Sequence, residues 1–180
     1  FEGWQRANVC TPDDVMRGEL PESPVVIFDD DHYYMGGVIA EQLRRAGLDV
    51  TLVTPDGTVS TFALNTEEQV RVQARLLELG VRLELGAVLA SMGDDEAVLA
   101  CAYTGRTRSI PAASAVVVTS RAPREALYHE LAGRMEIARV GDCSAPGTIA
   151  AAVFAGHRYA RQMDAEVPDV PFLRERAVAP

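Results

Sequence analysis

Residues 25–37 read Val25-Val26-Ile27-Phe28-Asp29-Asp30-Asp31-His32-Tyr33-Tyr34-Met35-Gly36-Gly37. This stretch begins with an apolar run, continues with an acidic bend and ends with two glycines. Four consecutive β-branched or aromatic residues are typical of a strand that is buried on both faces of a parallel sheet. The helix predicted from about Met35 carries apolar residues every three or four positions and ends at Gly47. With a second strand over residues 49–54, this order predicts a βαβ unit with a right-handed crossover.

The rest of the chain continues the alternation of strands and helices. The capping signal Asn65-Thr66-Glu67-Glu68-Gln69 predicts a second helix that runs to Gly80, and a third strand follows over residues 81–85. Three short β-like runs (residues 87–91, 97–103 and 107–110) predict an antiparallel meander, and the apolar residues 115–119 return to the parallel sheet. The predicted fold class is α/β: a Rossmann-like parallel sheet with helices on both faces and a small antiparallel β-meander.

The two ends of the chain are less regular. Residues 1–23 predict a connecting arm with a short helix that begins at Thr11-Pro12. Toward the other end, Pro123 opens a predicted helix, residues 136–140 predict a short strand, and residues 148–163 predict a strong helix. The tail from Ala165 contains three prolines and is expected to be irregular.

Charge and composition exclude several function classes. The chain has 26 acidic and 17 basic residues, a net charge of -9, so we expect neither nucleic acid nor an anionic membrane as a partner. It contains no lysine, which excludes a P-loop lysine and a Schiff-base lysine from this chain. No apolar run approaches the roughly 20 residues that span a bilayer, and we predict a cytoplasmic location. Cys10, Cys101 and Cys143 lack the spacing of a metal site, so we predict none.

A second motif joins the opening one: Arg139-Val140-Gly141-Asp142-Cys143-Ser144-Ala145-Pro146-Gly147-Thr148-Ile149. With the order of elements, the two motifs resemble the pyridine-nucleotide-disulfide reductase superfamily, in which an NAD-binding domain is inserted into an FAD-binding domain. Within it, they look most like the C-terminal part of the trimethylamine dehydrogenase branch, which includes dimethylamine and histamine dehydrogenases and 2,4-dienoyl-CoA reductase. The resemblance covers residues 25–163.

The resemblance implies a domain plan. Residues 1–23 would be the exit segment of a truncated FAD/ADP-binding-like domain, residues 24–134 an NAD(P)-binding-like Rossmann domain, and residues 135–180 the returning half of the first domain and a tail. It also implies a parent enzyme whose TIM barrel carries FMN and a [4Fe-4S] cluster, none of which is in this sequence. The expected partners are the rest of the parent chain and an electron-transfer protein, and we expect no redox chemistry from this chain alone.

The opening motif departs from a dinucleotide-binding turn. Such a turn needs glycines where the backbone approaches the pyrophosphate, and counting back from Gly36 places Asp31 and Tyr33 at the first two glycine positions. A carboxylate about 4 Å from a phosphate costs on the order of 4 kcal/mol, more than the roughly 0.3 to 1 kcal/mol of a helix dipole. Thr54 stands where an acid would hold the ribose. We predict that the domain binds neither NAD(H) nor NADP(H).

Other interpretations of this acidic bend remain open. Asp29, Asp30 and Asp31 offer oxygen ligands for Mg²⁺ or Ca²⁺, although a solvated or arginine-paired cluster is the simpler interpretation. The position of His32 beside two tyrosines could suggest proton transfer, and the plainer interpretation is a packed turn between strand and helix.

The candidate cofactor-binding residues lie in the second motif: Gly141, Asp142, Pro146, Gly147 and Thr148. The resemblance implies that the aspartate contacts the ribitol and that the following helix faces the pyrophosphate. It implies ADP in the amine dehydrogenases and FAD in the dienoyl-CoA reductases, and the sequence leaves open both the choice and the simpler role of Asp142 as a cap. We predict no catalytic residue, because His129, His157 and Arg158 lack a nucleophile or carboxylate at triad spacing.

Three functions follow. The chain could be a structural and assembly domain of an FMN/[4Fe-4S] amine dehydrogenase-like enzyme, with its dinucleotide site degenerate. It could instead be a functional NAD(P)H-binding module of a flavin-dependent oxidoreductase in which Arg121 or Arg124 holds a phosphate. A free-standing interaction module built on a Rossmann scaffold is the third.

Overall fold

The computed structural model describes residues 1–164, so the predicted irregular tail from Ala165 lies outside the described residues. The chain divides into two compact units, which we call the N-terminal unit (Phe1–Ser120) and the C-terminal unit (from Arg121 onward). No helix among residues 1–164 combines the length and the apolar character that crossing a bilayer requires.

The N-terminal unit is built on a five-stranded parallel sheet in the order β1-β8-β2-β3-β4. Its strands are β1 (Val9–Cys10), β2 (Val25–Asp29), β3 (Val50–Thr54), β4 (Arg82–Leu85) and β8 (Ser114–Val118). Between β4 and β8 the chain forms the predicted meander, an antiparallel sheet of β5 (Ala87–Met92), β6 (Glu96–Cys101) and β7 (Thr107–Pro111). The structure confirms the predicted Rossmann-like α/β fold with its small second sheet.

Three α-helices belong to this unit: α1 (Pro12–Met16), α2 (Met35–Arg45) and α3 (Gln69–Glu78). Thr11 and Asp14 close a capping box at the start of α1, as the sequence predicts. Gly47 follows α2 with a φ of 87°, a left-handed conformation that glycine adopts without strain.

The apolar alternation along β2 divides the core into two parts. Ile27 packs with Ile39 and Leu43 of α2 in one cluster, whereas Val26 and Phe28 point to the other face of the sheet. There they pack against residues of the antiparallel sheet, including Ala97 and Leu99. Both faces of β2 are therefore covered, as its continuous apolar run predicts.

The arm is more ordered than its sequence indicates. Val9 and Cys10 form β1, which pairs in parallel with β8, and Glu2 forms a bridge to Ser91 in the small sheet. A two-residue strand is too short to leave a periodic pattern, so the sequence did not reveal it.

The start of α3 also differs from the prediction. Asn65 does not cap a helix but lies within a 3-10 helix (Thr61–Thr66), which ends at Glu67 in the left-handed conformation, with a φ of 59°. The α-helix begins only at Gln69, whose Nε2 donates to the Val59 carbonyl at 3.1 Å. This tertiary contact overrides the local capping signal.

The C-terminal unit contains α4 (Ala126–Leu131), a 3-10 helix (Gly141–Cys143) and α5 (Ile149–Gln162). The prediction that Pro123 opens α4 is wrong by three residues. The predicted strand over residues 136–140 is not formed. A strand needs a neighbour for its backbone hydrogen bonds, and the described residues of this unit contain no other strand.

Candidate functional site

The first candidate site is the bend (residues 30–34) between β2 and α2, at the carboxyl end of the parallel sheet. Asp29 is the last residue of β2 and is 1% exposed. The Asp30 N–H donates to the Val118 carbonyl at 2.8 Å, so the chain leaves the sheet only after Asp30. His32 then adopts a φ of 61°, a left-handed conformation that is uncommon outside glycine.

The Asp29 side chain turns back into the bend that follows it. Its Oδ1 atom accepts hydrogen bonds from the N–H groups of Asp31, at 3.2 Å, and His32, at 3.3 Å. Its Oδ2 atom is buried without a hydrogen-bond partner in the described structure. The carboxylate thus uses donors that a bound anion would otherwise meet at this end of the sheet.

Gly36 allows this arrangement, because it lies directly against the Asp29 carboxyl group. A Cβ atom built on Gly36 would be 2.3 Å from Asp29 Oδ2 and 2.5 Å from its Cγ. The sequence places Asp31 and Tyr33 at the glycine positions of the turn. In the structure, however, Asp29 is the acid in contact with Gly36.

The environment raises the pKa of Asp29 to about 6, from an ordinary value of 3.8. Desolvation by burial is the largest cause, and the charge of Asp31 adds to it. The two backbone hydrogen bonds and the charge of His32 act in the opposite direction. Burial therefore outweighs the hydrogen bonds that favour the ionised form.

The His32 ring ties the bend to the 3-10 helix. Its Nδ1 atom is 3.1 Å from Asp56 Oδ2, although the two are not aligned for a hydrogen bond, and its Nε2 atom is 3.4 Å from Asp30 Oδ1. The ring also meets Phe62 edge-on at 5.7 Å, and the Phe62 N–H donates to the His32 carbonyl at 2.9 Å. These contacts support the interpretation of His32 as part of a packed turn.

The acidic residues of the bend do not converge on a point. Among residues 1–164, no group of three or more histidine, cysteine, aspartate or glutamate side chains is arranged to hold a metal ion. Thr54, at the end of β3, is 1% exposed, and its hydroxyl is 3.4 Å from the Asp56 N–H.

The second candidate site is the loop before α5, and it brings the predicted cofactor-binding residues together. Gly141 has a φ of 70°, and Asp142 Oδ1 accepts from the Gly147 N–H at 3.4 Å. Pro146 lies in the same loop, and Thr148 caps α5 by accepting from the Ala151 N–H at 3.3 Å. Asp142 therefore fastens its own loop, while the cap of α5 is Thr148.

The sequence did not reveal a polar cluster in the C-terminal unit. Glu125 pairs with Arg139, whose guanidinium lies 4.7 Å from the centre of the Tyr128 ring, and with His129 at 3.2 Å. The helical spacing of Glu125 and His129 is the signal that could have indicated their pairing. Arg121 and Arg124, the alternative phosphate ligands, are both exposed in this unit.

Comparison with known proteins places this fold in a family. No protein-family model matches the chain. Histamine dehydrogenase from Rhizobium sp. 4-9 is 39% identical, with a TM-score of 0.85 over 96% of this chain. The chain belongs with the C-terminal part of the trimethylamine dehydrogenase-like family. The predicted resemblance is confirmed.

Two further proteins are similar to this chain. The 6-hydroxypseudooxynicotine amine oxidase from Pseudomonas geniculata N1 is 35% identical, with a TM-score of 0.83 over 88% of the chain. Dimethylamine dehydrogenase from Hyphomicrobium sp. (strain x) is 30% identical over 94% of it. This chain spans less than a third of the length of each relative: 29% of the histamine dehydrogenase, 25% of the amine oxidase and 27% of the dimethylamine dehydrogenase.

Proposed function

We propose that this chain is the C-terminal, structural part of an amine dehydrogenase-like oxidoreductase whose dinucleotide turn is degenerate. Its role is to support the assembly of the parent enzyme, while the oxidation takes place in a TIM barrel with FMN and a [4Fe-4S] cluster elsewhere in the same polypeptide. The observation that carries the proposal is the buried Asp29 carboxylate, which lies inside the turn where a dinucleotide would place its diphosphate.

The bend does not fit a nicotinamide dinucleotide. A diphosphate at this turn would compete with Asp29 for the N–H groups of Asp31 and His32. It would also approach a carboxylate that is mostly ionised above its pKa of about 6. At about 4 Å this repulsion costs on the order of 4 kcal/mol, so the site opposes binding both by occupancy and by charge.

The described residues also do not fit an iron-sulfur cluster. Cys10, Cys101 and Cys143 are free thiols, and none of them belongs to a group that could hold a metal within residues 1–164. In this proposal the cluster, and the FMN beside it, belong to the TIM barrel of the parent enzyme.

The loop before α5 fits one end of an ADP or FAD molecule. Helix α5 has 14 residues, and its first N–H groups have no partner within the helix, which favours a phosphate at this end. Asp142 and Thr148 are exposed beside it. In this proposal Gly141, Asp142, Pro146, Gly147 and Thr148 contact the nucleotide, and the missing half of the FAD-like domain supplies the remaining contacts.

The surface of the C-terminal unit supports an intramolecular partner. Helix α5 has no buried residue, and Ile149, Val153 and Phe154 are 85%, 65% and 67% exposed. Residues 136–140 have no strand neighbour among residues 1–164. A strand from the FAD-like half of the parent chain would pair with them and cover the apolar side chains of α5. These exposed side chains support a partner within the parent chain for residues 135–180. The proposal also includes residues 1–23 as an exit segment, residues 24–134 as an NAD(P)-binding-like domain, an electron-transfer protein as a partner of the whole enzyme, and a cytoplasmic location.

Ligand titration tests the function directly. We expect the 180-residue chain to be colourless and to show no heat of binding with NADH or NADPH in calorimetry. A micromolar Kd for NADPH, weakened by neutralising Arg121 or Arg124, would instead establish the alternative, a functional NAD(P)H-binding module. A free-standing interaction module would be excluded by a barrel encoded upstream in the same reading frame.

Substitution on α5 tests the proposed partner. Because Phe154 is 67% exposed, Phe154→Gln is expected to change the free energy of unfolding of the 180-residue chain by no more than about 0.5 kcal/mol. The same substitution is expected to reduce the fluorescence of a hydrophobic dye bound to the 180-residue chain. In the parent enzyme it is expected to lower the thermal stability of the FAD-like domain. Arg161→Gln, at an exposed position near the end of the same helix, is the control. Unchanged stability of the parent enzyme would contradict the partner proposal.

A further inference from the structure

We propose that Asp29 is the resident anion of the bend, and that its occupancy, more than the charge of Asp30 and Asp31, excludes phosphate groups from this turn. This inference rests on the proposed function, because it names the residue that makes the dinucleotide site degenerate.

The backbone of the bend presents two successive N–H groups to one acceptor oxygen. Consecutive N–H groups point to one side where a left-handed residue follows a right-handed one, and such concavities bind anions. Here the left-handed residue is His32, and the N–H groups of Asp31 and His32 converge on a single oxygen, Asp29 Oδ1. The bend therefore already holds an anion, which the chain itself supplies.

The second carboxylate oxygen blocks the way to the helix. Asp29 Oδ2 has no hydrogen-bond partner within the part of the chain that the structure describes, and it lies so close to Gly36 that a single methyl group would not fit between them. Gly36 is in the first turn of α2, which is where a phosphate would approach the helix N-terminus. A phosphate oxygen could reach this position only if the Asp29 side chain left it.

The carboxylates of Asp30 and Asp31 are placed so that they contribute less than Asp29 to the exclusion of phosphate. The Asp30 side chain is 49% exposed and lies beside His32, so solvent screens its charge. Asp31 is half-buried, but it enters the anion site through its backbone N–H and not through its carboxylate. Occupancy and charge can therefore be separated by substitution.

Three variants of the 180-residue chain separate the two effects, with inorganic pyrophosphate as the probe. Asp29→Gly empties the site. Asp29→Asn keeps a side chain of the same size whose carbonyl can accept the same two hydrogen bonds, and Asp30→Asn with Asp31→Asn removes only the outer charges. We expect Asp29→Gly alone to bind pyrophosphate at least about tenfold more tightly than the wild type, measured by calorimetry.

Amide resonances provide a second readout that does not require a variant. In the wild type, the Asp31 and His32 amide protons should shift as pH rises from about 4 to 8, because Asp29 ionises beside them, and pyrophosphate should not move them. The inference is overturned if pyrophosphate shifts these resonances in the wild type, if a folded Asp29→Gly variant gains no affinity, or if the Asp30/Asp31 variant gains it instead. Binding of NADH by the wild type would be a separate result that refutes the proposed function.

Discussion

The N-terminal unit is expected to lose about 3 kcal/mol or more of its free energy of unfolding when Gly36 is replaced by alanine. Alanine within a helix normally stabilises by about 1 kcal/mol relative to glycine. At Gly36, however, the new methyl group would lie 2.3 Å from Asp29 Oδ2 and 2.9 Å from Asp29 Cβ. Asp29 is buried at the end of β2, and the clash includes its Cβ atom, which rotation of the side chain cannot move away, so the clash outweighs the helix propensity.

Thermal unfolding, followed by circular dichroism, measures this effect, and 3 kcal/mol corresponds to a fall of roughly 6 to 12 °C for a chain of this size. Gly57→Ala is the matched control, since no atom of residues 1–164 beyond its chain neighbours lies within 4 Å of its added Cβ atom. Combining Gly36→Ala with Asp29→Gly should restore much of the lost stability, because it removes the atoms that clash. A double variant as unstable as Gly36→Ala alone would show that the contact with Asp29 is not the cause.

The second large effect is expected from Asp29→Asn, which should stabilise the chain at neutral and alkaline pH. The pKa of Asp29 is raised from 3.8 to about 6 by burial, so the folded state holds this proton more tightly than the unfolded state does. The resulting stabilisation is complete below about pH 4 and is lost as pH rises through about 6. A shift of this size corresponds to on the order of 3 kcal/mol, which the asparagine variant would not lose.

The measurement is the difference in free energy of unfolding between Asp29→Asn and the wild type, determined by urea denaturation at intervals from about pH 4 to pH 8. The difference should favour the variant increasingly as pH rises. The same titratable groups face the bend in both proteins: Asp30, Asp31, His32 and Asp56. Asp95→Asn, at an exposed position, should give a flat difference. If the difference for Asp29→Asn does not change with pH, the pKa of Asp29 is the same in the folded and unfolded states, which would contradict the prediction.

Much of the fold could be predicted because strong local patterns agree with the tertiary structure. The run Val25 to Phe28 predicts a strand covered on both faces, and the structure covers it with α2 on one side and the antiparallel sheet on the other. Sequence patterns gave the wrong elements or the wrong bounds where contacts with residues elsewhere in the chain determine the structure. Residues 136–140 have the composition of a strand but no neighbour in the described unit, and the tertiary contact of Gln69 with Val59 sets the start of α3.

The acidic bend was foreseen, but its principal residue was not. Counting back from Gly36 assumes the length of a glycine-rich turn and selects Asp31 and Tyr33, whereas the chain instead folds Asp29 back onto the N–H groups two and three residues later. An aspartate that accepts from such N–H groups is a common local motif, so the residue type did carry a signal. What the sequence could not provide is the distance to Gly36, which depends on how α2 packs against β2.

The two-residue strand β1 has a practical consequence for anyone who trims this protein. A nucleotide-fold domain cut at Pro24, as the proposed domain plan would suggest, loses Val9 and Cys10 and leaves β8 paired only with β2. An interior strand would then become an open edge whose free backbone groups can recruit another molecule. Such a shortened protein is expected to self-associate, and retaining the first ten residues should keep it monodisperse.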